Sequence, residues 1–315
     1  MAIDIRAAIE NDPPPLDHLF PGGPLAGTVG LIASAGSAGK SYYALQAAAA
    51  IAARNAIGGG EDGDLLGLNV PPDPHYVAVP EGIQHPPGRV VMLAAEDPEA
   101  ILIHRLRYIF SHIKNPNVSE DVYQNFKIEP ILGRGVHVTN PEYQDRIIKY
   151  CDGARLIIFD TLIRFHDLDE SNNGEMSRLI SIFENIAVET GACVLYLHHI
   201  NKLSSYSGQG DHQHAGRGAS ALTDNARWVA SLQKMTKDEA ERYSMTDMTD
   251  DERQRYVRWS NPKNNYARTL ADRWYHRDEN GVLLPANLIA QNNSNRSKNP
   301  SGPKPKGNKR ESATY

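Results

Sequence analysis

Between Thr28 and Ala53 the chain runs Thr-Val-Gly-Leu-Ile-Ala, then Ser34-Ala-Gly-Ser-Ala-Gly-Lys-Ser41, then Tyr42-Tyr43 and an alanine-rich stretch. An apolar strand (Val29 to Ala33), a tight glycine loop and a helix beginning at Lys40 follow in that order, and the order describes a phosphate cradle. Small residues let backbone N–H groups curl around an anion, and the helix adds its positive end. In that geometry Lys40 reaches the outer phosphates and the Ser41 hydroxyl is placed to hold a divalent cation. The nucleotide-contacting stretch is therefore Ala35, Gly36, Ser37, Ala38, Gly39, Lys40, Ser41 and Tyr42. Ser34 stands where the P-loop pattern has glycine. The spacing Gly36-Ser-Ala-Gly39 does not fit a dinucleotide-binding G-x-G-x-x-G turn.

Two further strand ends carry carboxylates. The apolar run Arg89 to Ala94 closes on Ala95-Glu96-Asp97-Pro98. Asp97 before Pro98 reads as an N-cap for a helix over Pro98 to Lys114. Glu96, at the carboxyl edge of a parallel strand, reads either as a group that polarises an attacking water or as a loop charge. Some 120 residues after the P-loop, Arg155-Leu-Ile-Ile-Phe-Asp160 closes on one aspartate, a Walker B strand whose carboxylate orients the shell of Mg²⁺. Another apolar run, Cys193 to Leu197, ends in His198-His199. Neighbours on a strand point to opposite faces, which argues against a joint metal site. His198 suits a core position and His199 a contact to the terminal phosphate. Arg227, leading into the strand Trp228 to Leu232, is either an arginine finger for another subunit or a partner of Asp224.

These elements predict an α/β fold: a mostly parallel central sheet flanked by helices. Phe126 to Leu132 supplies a third strand, Pro141 to Gly153 and Glu175 to Thr190 two helices, and Val257 to Ser260 with Ala271 to Tyr275 a closing pair. The helix before Gly191 presents Met176, Leu179, Ile180, Phe183, Ile186 and Ala187 on one face, which core packing explains. Lys237 to Arg255 reads as charged surface helix. The proline-rich stretch 1–27 is an arm, 28–290 the ATPase-type domain, 58–88 a surface excursion with a hairpin near His75 to Val79, and 291–315 a disordered basic tail.

At 315 residues, 40% hydrophobic and a formal charge of −5, the chain fits one large domain and not a protein that coats nucleic acid by net charge. Its two cysteines, Cys151 and Cys193, have no metal or disulfide spacing, which favours the cytoplasm. No stretch suits a membrane span.

As an ordered set these stretches resemble the RecA-type ATPase core. More narrowly they are similar to the RepA-type hexameric replicative helicases of broad-host-range plasmids, related to the DnaB-like group. The resemblance rests on Ser37-Ala-Gly-Lys-Ser41, Ala95-Glu-Asp-Pro98, Asp160-Thr-Leu-Ile-Arg-Phe-His166, Leu197-His-His199, Arg217-Gly-Ala-Ser220, Asp224-Asn-Ala-Arg-Trp228 and Ala271-Asp-Arg-Trp274. It implies an ATP- and Mg²⁺-dependent 5′→3′ DNA helicase working as a hexameric ring, with a primase and initiator proteins as candidate partners. It also implies roles: Lys40 and Ser41 on phosphate and Mg²⁺, Glu96 on water, Asp160 on Mg²⁺, His199 as phosphate sensor and Arg227 as finger in trans. Loops near Arg164 to Gly174 and Asn201 to Gly218 would face single-stranded DNA, with Arg164, Lys202 and Arg217 as contacts. The chain departs from the DnaB-like Lys-x-Arg finger, having Lys263-Asn264-Asn265. The sequence shows no cis arginine on the phosphate side, so a neighbouring subunit is expected to supply one. Two other classes stay open: a filament-forming recombination ATPase, and a nucleotide-gated DNA-binding regulator that does not unwind.

Overall fold

The computed structural model describes residues 2–13, 15–53, 65–68, 88–199, 217–243, 245 and 247–289, with the backbone alone for 217–219. The expected hairpin near His75, nearly all of the 58–88 excursion, the tail from 291, and Lys202 lie outside these residues.

Six parallel strands form the centre: β1 (Val29–Ser34), β2 (Arg89–Ala94), β3 (Phe126–Pro130), β4 (Ala154–Asp160), β5 (Cys193–His199) and β6 (Trp228–Lys234). Three antiparallel strands extend the sheet past β6: β7 (Tyr256–Asn264), β8 (Arg273–Arg277) and β9 (Leu283–Pro285). The order is β3-β2-β4-β5-β1-β6-β7-β8-β9. All six residues of β1 are buried, as a central strand covered on both faces requires. Gly30 is obligatory there, because a Cβ would come within 2.6 Å of the Leu195 side chain and 3.3 Å of the Trp228 carbonyl oxygen.

Helices cover both faces. On one side lie α2 (Lys40–Ala52), α3 (Glu99–Ser111) and α4 (Pro116–Asn125), preceded near the N-terminus by the short α1 (Ile5–Glu10). The alanines of α2 are buried almost all round, and their small size lets this helix lie close on the sheet. Leu19 and Phe20, from the proline-rich start, belong to the same core, with Phe20 edge-on to Trp228 at 6.1 Å. The other face carries α5 (Pro141–Tyr150), α6 (Asn173–Thr190) and α7 (Arg217–Asn225). The apolar stripe of α6 is fully buried, and the helix ends at left-handed Gly191.

Several expectations shift. Pro98 and not Asp97 caps α3; the helix begins one residue later than the proline suggests, and the Asp97 carboxylate instead pairs with Arg105, one of whose bonds is 3.1 Å. The segment Lys237 to Arg255 splits into α8 (Lys237–Arg242), held by a Thr236–Glu239 capping box, and α9 (Asp250–Gln254). Helix α4 carries a readable start, Asn115 capping Asn117 N with Pro116 in the first turn, yet too short a stripe (Val118, Val122) to announce itself. Both cysteines are free and buried, and burial pushes the Cys151 thiol up to about 12 and Cys193 higher still. Among the described residues no helix is long and apolar enough to cross a membrane.

Candidate functional site

Parallel register brings the marked strand ends to one edge: Ser34 lies beside His199, and Ala94 beside Asp160. The loop leaving β1 turns on two left-handed residues, Ser37 at φ 62° and Gly39 at φ 93°. Gly39 caps α2 without a side chain, so the first-turn N–H groups carry no side-chain cap and face an incoming anion. Lys40 is only 4% exposed. Burial lowers its pKa, opposed by the nearby carboxylates of Asp160, Glu96 and Asp97. Its Nζ lies 3.4 Å from His199 Nε2, and that nitrogen lies 3.6 Å from Glu96 Oε1. Glu96 and His199 are each partly open to solvent, at 39% and 40%.

Asp160 is 1% exposed and its Oδ1 has no hydrogen-bond partner. Burial raises its pKa to about 6, the Lys40 charge working against this, Glu96 with it, and a hydrogen bond from Ser41 against it. A buried carboxylate oxygen with nothing to bind, beside a hydroxyl and an ammonium, suits a hydrated divalent cation and a polyphosphate. The donor set thus fits Mg²⁺ and a nucleoside triphosphate, Ser41 and Asp160 being placed to hold the first and Lys40 the second.

The sequence reading missed two arginines. Arg277, on β8, donates from Nη1 to the Ser37 carbonyl at 2.9 Å, and its Nε would stand 3.9 Å from a Cβ on Gly39. Arg105, on α3, stands 5.4 Å over the Tyr42 ring and acts on the Lys40 charge. The expectation of no cis arginine at the phosphate side is therefore wrong. No local signal could reveal Arg277, which is 240 residues from its partner. It reaches the loop because β8 and β9 are tied to α2: Gln46 donates to the Leu283 carbonyl at 2.7 Å and accepts from Leu283 N at 2.9 Å. Replacing Arg277 by Ala frees the Ser37 carbonyl and removes a cation. We expect nucleotide affinity to fall by about tenfold, the scale of one charge-assisted bond, in a nucleotide titration; unaltered affinity would show the bond to be incidental.

Arg227 lies at the other end of the molecule's sheet. Its backbone N–H bonds Val29 O at 2.9 Å, at the start of β1, while the phosphate loop leaves the far end. The strand between spans roughly 17 Å at about 3.3 Å per residue. Its guanidinium is 3.8 Å from Glu184 and 47% exposed, so its partner is Glu184 and not Asp224. Lys263 stands close by, donating to the Thr223 and Asp224 carbonyls at 3.2 and 2.6 Å, with the Arg227 charge among those lowering its pKa. Arg164 is exposed in the short helical turn Leu162–Arg164 after β4. Arg217 begins α7, its side chain outside the described residues.

His198 turns away from His199 into the core, 7% exposed, with Nδ1 3.8 Å from Glu170 Oε1; His166 Nε2 is 3.7 Å from the same oxygen. Burial, then the charges of His199, Lys40 and His166, push His198 down to about 4, and burial raises Glu170. Between the ordinary value of 6.5 and about 4, unfolded His198 binds a proton that the folded form refuses. Stability is therefore lost as pH falls through that window, by on the order of 3 kcal/mol from this group. Urea unfolding across the window, for wild type and His198→Gln, checks this: the variant's stability should vary less with pH, and equal loss in both would refute it.

A phosphate loop, a Walker B carboxylate and a strand-end glutamate on the carboxyl edge of a β3-β2-β4-β5-β1 sheet define a P-loop ATPase of the RecA-like fold. The chain belongs to the AAA_25 family of AAA domains, whose model matches residues 2–205. Among solved structures it is similar to a helicase "ATPase Domain", with 14% identity, a TM-score of 0.50, and 84% of this chain and 87% of that one covered. It is also similar to the "Crystal structure of the RadB recombinase", at 12% identity, a TM-score of 0.47, and coverage of 82% and 91%.

Proposed function

We propose that this chain is the motor subunit of a ring-shaped, ATP- and Mg²⁺-dependent replicative DNA helicase of the RepA type, a cytoplasmic homohexamer that translocates on single-stranded DNA. The observation that carries the reading is the separation of Arg227 from its own phosphate loop. An exposed guanidinium at the opposite edge of the sheet can meet a terminal phosphate only when a neighbouring subunit presents one.

In this reading the bound cation bridges phosphate oxygens and offsets their charge. Lys40 and the α2 amides hold the phosphates. Glu96 accepts a proton from the attacking water. His199, in reach of both Lys40 and Glu96, registers the terminal phosphate and passes its presence to the loop after β5. The neighbour's Arg227 stabilises the charge that develops in the transition state, with Lys263 beside it. The arm 1–27, the domain 28–290 and the basic tail 291–315 are its parts, and Arg164, Lys202 and Arg217 its candidate DNA contacts; a primase and initiator proteins are candidate partners.

A second reading has one observation in its favour. Arg277 already brings a guanidinium to the loop in cis, as a nucleotide-gated regulator working without a ring would need. ATP hydrolysis by wild type and Arg227→Ala, with and without single-stranded DNA and with native mass on both, separates the two. DNA-stimulated hydrolysis in a wild-type hexamer, lost in an assembled variant, supports the motor. A monomer hydrolysing ATP at full rate in both forms overturns it.

A further inference from the structure

A second cleft opens on the carboxyl edge of the sheet, next to the nucleotide site. Its walls are the loop after β3 and the turn after β4, and its lining includes Leu132, Gly133, Gly135, His137, Ile163 and Arg164. The floor is rigid, because backbone bonds knit the three strand ends together: Ile131 N to Ala94 O at 2.8 Å, Ala95 N to Asp160 O at 2.7 Å, and Val138 N to Phe165 O at 2.8 Å. Ala95, which also lines the cleft, directly precedes Glu96.

Three features of this cleft point to one kind of ligand. The chain carries a net charge of −5, yet no carboxylate lines the cleft; its ionisable groups are His137 and Arg164, with exposed Arg134 at the loop tip. Gly133 and Gly135 turn at φ 77° and 58°, and nothing stands within 4 Å of where either Cβ would be, so bare backbone faces the opening. Leu132 and Ile163, on opposite walls, remain 43% and 54% exposed. Cations and open backbone suit phosphate oxygens, and two apolar faces suit unstacked bases. An acidic peptide would match the charge but leave the apolar walls without a repeating flat partner.

We propose that this cleft binds single-stranded DNA, with Arg164 and the Gly133–Gly135 backbone on the phosphates and Leu132 and Ile163 against the bases. The inference rests on the reading of the chain as a DNA motor and adds the loop after β3 to the two loops that the resemblance implicates. A strand seated here lies one residue from Glu96, and its presence reaches the catalytic carboxylate through the Ala94–Glu96 backbone.

The test measures binding of fluorescein-labelled oligo(dT) by anisotropy, in the full chain with a non-hydrolysable ATP analogue. Leu132→Glu and Ile163→Glu place a negative charge on each wall at exposed positions, and Ile103→Glu, 57% exposed on α3, is the control. Each wall variant should weaken binding by about tenfold or more and the control by less than about twofold. Wall variants that bind as tightly as a wild type that does bind DNA overturn the cleft and leave the motor standing. A wild type that binds no DNA overturns both. Thermal unfolding of each variant identifies any loss of fold, and a weakened but unfolded pair counts against the cleft unless Arg164→Ala, tested alongside, also weakens binding.

Discussion

Glu96→Gln should leave nucleotide binding close to normal and reduce the rate of hydrolysis by about 10²–10⁴-fold, the range that a positioned general base contributes. The substitution keeps the size of the side chain and its ability to accept a hydrogen bond, and removes its ability to take a proton. Because Glu96 is 39% exposed, the change costs the fold little. Two neighbours make the assignment specific. His199 Nε2 stands 3.6 Å away, and Lys40 Nζ a further 3.4 Å, so the carboxylate faces the place where a terminal phosphate would lie. Asp97, one residue on, is engaged with Arg105 and cannot substitute. Single-turnover hydrolysis alongside a nucleotide-binding titration measures both quantities. Hydrolysis within a few-fold of wild type would return Glu96 to the status of a loop charge.

Mixing two inactive variants should restore activity. Arg227→Ala keeps an intact phosphate site and lacks the finger; Glu96→Gln keeps the finger and lacks the base. If each site is completed by a neighbour, a 1:1 mixture contains interfaces where the Arg227→Ala subunit supplies Glu96 and the Glu96→Gln subunit supplies Arg227. About a quarter of interfaces are of this kind under random assembly. Alone, Arg227→Ala should lose about 10³-fold or more in rate, as removal of an arginine finger does. The mixture should then exceed either variant by a comparable factor, although staged hydrolysis around a ring will hold it below a quarter of wild type. No recovery, from subunits shown by native mass to co-assemble, would mean that Arg227 serves only its pair with Glu184. The presence of Arg277 in cis makes this the sharper experiment, since the phosphate loop is not without an arginine of its own.

Local chemistry made much of the fold legible. β1, β2, β4 and β5 are buried on both faces, and such strands read as unbroken apolar runs ending in the polar residue that meets the edge. The α6 stripe and its glycine stop were equally readable. The antiparallel end was read only in part: β7 runs from Tyr256 to Asn264, well beyond the expected Val257 to Ser260, and the three-residue β9 was not seen. Short edge strands carry too few alternations to stand out, and their pairing partners set where they stop.

By itself the sequence determined the phosphate loop, the carboxylates at the strand ends and the parallel α/β core, because each depends on residues within one or two turns of one another. Only the tertiary structure decided what surrounds them. It brought Arg277 across 240 residues to the Ser37 carbonyl, turned Asp97 from a cap to a partner of Arg105, and put Arg227 at the opposite edge beside Glu184. Those positions follow from strand order and register, which arise from how nine strands and two helical layers fill one core. A side chain's local pattern specifies the strand it sits on, whereas its partner is set by where the whole sheet carries that strand.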